Sequence, residues 1–138
     1  VNGNGQITIA KKFAGKAVIS ISAGETSRYK AAFSQITVTV KPSGVKISKV
    51  SNSAKGKATV FWKKNANADG YLIQYSTDKK FKSGVKTMTV KKSKTVKTTL
   101  KKLKKGKTYY IRICTYKRSG NARVTSSWSK TKSVKIRK

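Results

Sequence analysis

The side chains that could do chemistry in this chain are few and unevenly chosen. Among 138 residues there are three carboxylates, Glu25, Asp69 and Asp78, one cysteine, Cys114, and no histidine. General acid–base catalysis draws on histidine or paired carboxylates, and metal sites draw on clusters of His, Cys, Asp or Glu at ligand spacing. Neither pattern is present, so the expectation is a non-enzyme with no catalytic residue, no metal ligand and no cofactor. A nucleophilic Cys114 would need a base, and no histidine can serve. Arg112 and Lys117 could lower its pKa, yet a lone cysteine in a strand is most often a small apolar filler. It can form no internal disulfide.

What the chain has in excess is positive charge. Thirty-four Lys and Arg give a formal net charge of +31, a load that repels itself and weakens the compact state. Its densest run lies in LKKLKKGKTYYIRI, residues 100–113, where Lys101, Lys102, Lys104, Lys105 and Lys107 precede a strand-like alternation. That run reads either as an anion-binding patch or as the solvated rim of a turn. Lysines are also spread over the rest of the chain, Lys46, Lys49, Lys63, Lys64, Lys91 and Lys92 among them. Such a distribution favours a polyelectrolyte partner over one discrete pocket.

The elements that must carry these residues are strands. Alternation of period two runs through QITIA, AVISIS and ITVTV near the front, then KATVFW, GYLIQYS, VKTMTV, TVKTTL, YYIRICTY and SVKIR. Between them lie turn signals: NGNG, AGE, KPSG, AKGK, NADG, KSG, KKGK and RSGN. Short strands at this spacing predict an all-β sandwich with no helix. The only proline, Pro42, cannot donate to a sheet ladder and suits a junction. Residues 1–42 hold six Lys/Arg against Glu25, whereas residues 43–138 hold 28 against Asp69 and Asp78. The charge belongs mainly to the second unit.

That second unit resembles a fibronectin type III domain of bacterial secreted proteins. Trp62 in KATVFW, Tyr71, Ile73 and Tyr75 in GYLIQYS, and the corner Leu103, Gly106 and Tyr109 carry the resemblance. It implies an immunoglobulin-like β-sandwich of seven strands over residues 43–138, with Trp62, Tyr71, Ile73, Leu103, Tyr109, Ile111 and Ile113 in the core. It also implies that Trp128 packs back onto the sandwich. Residues 1–42 are similar to the C-terminal half of a bacterial immunoglobulin-like domain, with Gly15, Ala17, Ile19 and Ile21 on one strand and Ile36, Val38 and Val40 on the last. Forty residues seldom bury enough surface to stand alone, so this part is expected to lean on the following module or to dock on another protein chain that completes it.

Alternation within YYIRICTY sets Tyr110, Arg112, Cys114 and Tyr116 on the face opposite Tyr109, Ile111 and Ile113. Tyr110, Arg112, Tyr116, Lys135 and Arg137 then form a candidate outer contact surface of mixed aromatic and basic character. No Asn-x-Ser/Thr acceptor occurs, and an internal Lys–Asn crosslink would need a buried carboxylate. No run is long enough to span a membrane, no secretory leader is evident, and a start at Val1 reads as a piece of something longer.

The function expected is that of a non-catalytic spacer or adhesion module of a bacterial surface or secreted protein. Its lysines would hold it to an anionic polysaccharide, a teichoic acid or a mucin-like glycan. Two alternatives are a nonspecific nucleic-acid-binding protein and the accessory tail of a secreted enzyme. Against the first, no recognition helix, RNA-binding sheet signature or zinc motif is present.

Overall fold

A computed structural model describes residues 7–10 and 13–137. Ten strands and no helix occur among them, in the order β1 Gly15–Ala23, β2 Ala32–Val40, β3 Ile47–Ala54, β4 Lys57–Trp62, β5 Gly70–Ser76, β6 Lys86–Val90, β7 Lys97–Leu100, β8 Thr108–Ser119, β9 Ala122–Thr125 and β10 Lys132–Lys135. With no helix, nothing described is a helix able to cross a membrane.

From β3 onward the strands make two antiparallel sheets. One runs β3-β4-β7; the other runs β10-β8-β5-β6, with β9 also on β8. The inward residues of both sheets meet in one core, and Trp62, Tyr71, Ile73, Leu103, Tyr109, Ile111 and Ile113 are all in it, joined by Val60, Leu100 and Ile136. The Trp62 and Tyr71 rings meet edge to face, 5.2 Å between centroids and 62° between planes, the arrangement that ring quadrupoles favour.

Three segments depart from the strand pattern read in the sequence. QITIA is not a strand: Ile7–Ala10 take no sheet pairing, while Gln6 and the NGNG turn lie outside the described residues. β3, ISKVSNSA, pairs with β4 through register shifts after Ile47 and after Asn52. Those irregularities break the alternation that would have marked it. The last strand is split in two, giving eight segments where seven were expected. Thr108–Ile111 pair with β10, and Tyr116–Ser119 pair with β9. Between them Ser126 N–H donates to the Thr115 carbonyl (3.0 Å) and Ser129 N–H to the Ile113 carbonyl (2.8 Å).

β1 and β2 form a separate two-stranded antiparallel sheet in strict register, Ile19 opposite Ile36 and Ala17 opposite Val38. Two strands cannot close a core, and Val18, Ile21, Phe33 and Ile36 stay exposed. Ile7, Ile9 and Phe13 fold over the near end of one face and, with Ala17, Ile19 and Val38, line an open cleft of about 210 Å³. β1 leans on the β8–β9 turn, where Lys16 N–H donates to Ser119 Oγ (3.2 Å). The junction after Pro42 is pinned: the Ser43 carbonyl accepts from Thr115 Oγ1 (2.7 Å) and from Asn65 Nδ2 (2.7 Å).

Candidate anion-binding surfaces

The lysine-rich corner is built on a buried frame. Leu103 is in the core, and its N–H donates to the Gly56 carbonyl of the β3–β4 turn (3.0 Å). Tyr109, buried at the start of β8, accepts at its hydroxyl from the Lys104 N–H (3.1 Å). Gly106 N–H donates to the Ile136 carbonyl (2.7 Å), and Ile136 N–H to the Lys107 carbonyl (3.0 Å). Gly106 has φ 80°, and Lys102 also takes the left-handed region at φ 58°. With the alternate residues so engaged, Lys101, Lys102, Lys104, Lys105 and Lys107 all face solvent. The frame brings them beside the β3–β4 turn, which carries the exposed Lys55 and Lys57.

The mixed aromatic and basic face does not assemble as expected. Tyr116 is fully buried and offers no contact surface. Opposite it in register stands Gly70, where a β-carbon would run into the Val90 carbonyl and the Tyr116 ring. The ring lies in that gap, and the Arg123 guanidinium covers it at 4.8 Å. Alternation predicts a side chain's face; a glycine partner then decided that this face would be filled. Cys114, on the same side of β8, is 1 % exposed, and burial pushes its thiol up to about 11, which suits a filler rather than a nucleophile.

Arg112 is committed within the fold. Its guanidinium lies between Phe81 (4.2 Å) and Trp128 (4.8 Å), and its Nε and Nη2 donate to Gln74 Oε1 at 3.0 and 2.7 Å. Trp128 thereby packs onto the sandwich. Tyr110 is half-buried. Lys135 and Arg137 are exposed but line a shallow groove between β10 and β3 with Val50 and Asn52, and Asn52 Oδ1 accepts from the Arg137 N–H (2.8 Å). Tyr116 and Arg112 are thus taken up within the fold, while Lys135 and Arg137 share a groove of their own.

The carboxylates of the sandwich are occupied as well. Asp78 accepts backbone N–H groups from Lys80, Lys82 and Ser83, which hold its carboxyl below the usual range. Asp69 accepts from the Arg118 N–H (2.8 Å) and pairs with Lys117 Nζ (3.1 Å). The Arg118 N–H is the main reason that its carboxyl is also held low. Nowhere among the described residues do three His, Cys, Asp or Glu gather as metal ligands would. The sequence reading missed Lys94 and Arg118, which the fold brings to one groove with Lys91 and Lys92. They lie 24 residues apart, and only the β6–β7 turn and the end of β8 join them.

The family model of the fibronectin type III domain matches residues 40–132. The chain belongs to the fibronectin type III family. Among solved structures it is similar to a two-domain fibronectin type III segment of chicken tenascin, with 24% identity and TM-score 0.56, covering 88% of this chain and 65% of that one. It is also similar to the fibronectin type III domain of human collagen alpha-1(XX), with 13% identity, TM-score 0.56, 72% of this chain and 90% of that one. A third likeness is to chicken CNTN1 FN1-FN3 domains, with 19% identity, TM-score 0.56, 78% of this chain and 36% of that one. At these identities the likeness is one of fold. No curated protein matches the chain. Fibronectin type III domains are typically non-catalytic modules, common in extracellular or surface proteins, and the buried frame of the corner is part of that fold's core.

Proposed function

We propose that this chain is a non-catalytic fibronectin type III module of a larger bacterial surface or secreted protein, one that spaces its neighbours and adheres electrostatically to an anionic polymer of the wall or of a host glycan coat. One observation carries the reading. From Lys46 to Arg137 every Lys and Arg is exposed except Arg112 and Lys117, while Asp69 and Asp78 are used up on nearby backbone N–H groups. The surface is a nearly uncompensated positive field, and such a field concentrates polyanions at moderate ionic strength. Lys101, Lys102, Lys104, Lys105 and Lys107 belong to it, as do Lys135 and Arg137 at their own groove.

The hairpin β1–β2 fits a piece of a preceding immunoglobulin-like module, residues 1–42, with its other strands elsewhere in the parent protein or on another chain. The larger share of this chain covered by the two-domain tenascin segment than by the single collagen domain supports that reading.

The test is retention of the chain on immobilised teichoic acid, sulfated glycan and duplex DNA at matched charge density and about 0.15 M salt. Preferential retention on teichoic acid or glycan is expected, weakening steeply as salt rises. Preference for duplex DNA, or no retention on any of the three, would overturn the proposal.

A further inference from the structure

Of the grooves in the positive field, one gathers four cations from segments distant in the chain. Between the turn that follows β6 and the far end of β8 lies a groove of about 540 Å³, lined by Lys91, Lys92, Ser93, Lys94, Arg118 and Asp69, with Ala68 at its floor. Its walls are held from beneath. The Tyr71 hydroxyl donates to the Ser93 carbonyl (2.8 Å) and accepts from the Asn65 N–H (2.9 Å). Thr95 N–H closes the turn onto the Lys92 carbonyl (3.1 Å), and Asp69 N–H donates to the Tyr116 carbonyl (2.9 Å). Tyr71 itself is sealed in the core, so the turn is tied to the buried interior of the sandwich.

The charges of the groove are unbalanced in a particular way. Asp69 is its one carboxylate, and both of its oxygens are taken, one by Lys117 Nζ and the other by the Arg118 N–H. Lys91, Lys92, Lys94 and the Arg118 guanidinium are exposed and make no ion pair among the described residues. Three lysines on a four-residue turn repel one another, and that repulsion is relieved when an anion enters. Arg118 offers a planar fork that suits an oxyanion, and the lysines offer mobile point charges around it. At the 100–107 corner the five lysines are likewise exposed, but all of them come from a single turn.

We propose that this groove seats a short run of phosphate or sulfate groups of the anionic polymer, with Arg118 holding one oxyanion through two N–H donors and Lys91, Lys92 and Lys94 neutralising its neighbours. The proposal deepens the polyanion reading above and rests on it.

The test uses the whole chain with two short probes, inorganic tripolyphosphate and a fully sulfated disaccharide, too small to span the molecule. Binding is followed by calorimetry and by amide shifts. One variant combines Lys91→Gln, Lys92→Gln, Lys94→Gln and Arg118→Gln; a charge-matched variant combines Lys101→Gln, Lys102→Gln, Lys104→Gln and Lys105→Gln. Unchanged thermal unfolding shows that both are folded. Saturable one-to-one binding of at least one probe is expected, with shifts centred on residues 68–70, 91–95 and 118. The groove variant should lose about tenfold in affinity and the corner variant less than about threefold. The probe that binds names the oxyanion. Absence of saturation by both probes, or equal loss in both variants, overturns the groove. If the long polymer still binds in that case, the module's general adhesion stands; if the long polymer fails too, the functional reading falls with it.

Discussion

In β8, Ile111 and Ile113 are sealed with no exposure at all, whereas in the hairpin Ile21 and Ile36 remain 52% and 47% exposed, although the same period-two alternation places all four. The difference is what lies across from them. β8 faces the β3-β4-β7 sheet over a shared core; the hairpin faces solvent beyond the cover given by Ile7, Ile9 and Phe13. Alternation chooses a face, and only a second layer turns that face into stability.

The sharpest way to break this comparison is to truncate one isoleucine on each side. Ile113→Ala opens a cavity in the sandwich and is expected to cost about 3 kcal/mol or more, whereas Ile36→Ala should cost less than about 1 kcal/mol. Denaturant unfolding of the two variants measures both. Equal costs would mean that the hairpin face is covered in solution, by another chain or by more of its own.

Tyr71→Phe comes next. The hydroxyl bridges Ser93 and Asn65, so its removal leaves a half-buried carbonyl and an N–H short of partners. A loss of about 2 kcal/mol is expected, with faster hydrogen exchange at residues 63–69 and 91–96. Exchange in β1 and β2 should stay as it was, and a change there would show that hairpin and sandwich unfold as one unit.

Acid probes the end of β8, next to the Ser119 on which the hairpin leans. Asp69 has a folded-state pKa below its ordinary value, so its stabilising effect is full above about pH 4. It fades as pH falls through the lower folded value. The side chain is 35% exposed, and after solvent screening the effect is at most about 1 kcal/mol. Asp69→Asn should therefore narrow the stability gap between pH 7 and pH 3. If the gap kept its width, the Arg118 and Lys117 contacts would contribute nothing measurable.

Much of this was legible in the sequence because it depends on short spacing. Leu103, Gly106 and Tyr109 announce a corner within seven residues, and Tyr71, Ile73, Ile111 and Ile113 announce an inward face. What escaped depends on partners distant in the chain. Tyr116 is buried because Gly70 stands opposite and Arg123 lies above it. Arg112 is caged by Phe81 and Trp128, from a turn and a strand break far apart. β3 was hidden because its bulges spoil the period that reveals a strand. The groove at Lys91, Lys92, Lys94 and Arg118 was hidden for the same reason as Tyr116: it exists only once β6 and β8 stand on either side of β5.

The smallest effect has the opposite sign. Lys102 is held at φ 58°, where an L-residue's β-carbon crowds the following carbonyl at a cost of roughly 1–2 kcal/mol. Glycine escapes that crowding but forfeits about 0.5–1 kcal/mol of backbone entropy on folding. Lys102→Gly is therefore expected to stabilise the sandwich by about 0.5 kcal/mol. Lys102→Ala is the control, because it removes the same charge and keeps the β-carbon. If alanine stabilises as much as glycine, relief of charge repulsion at the corner is the cause and not the backbone. Because Lys102 belongs to the corner and Ser119, where the hairpin leans, to the other end of β8, neither variant should alter exchange in β1 and β2. A gain confined to the sandwich would show that the two regions keep separate stabilities even within one chain.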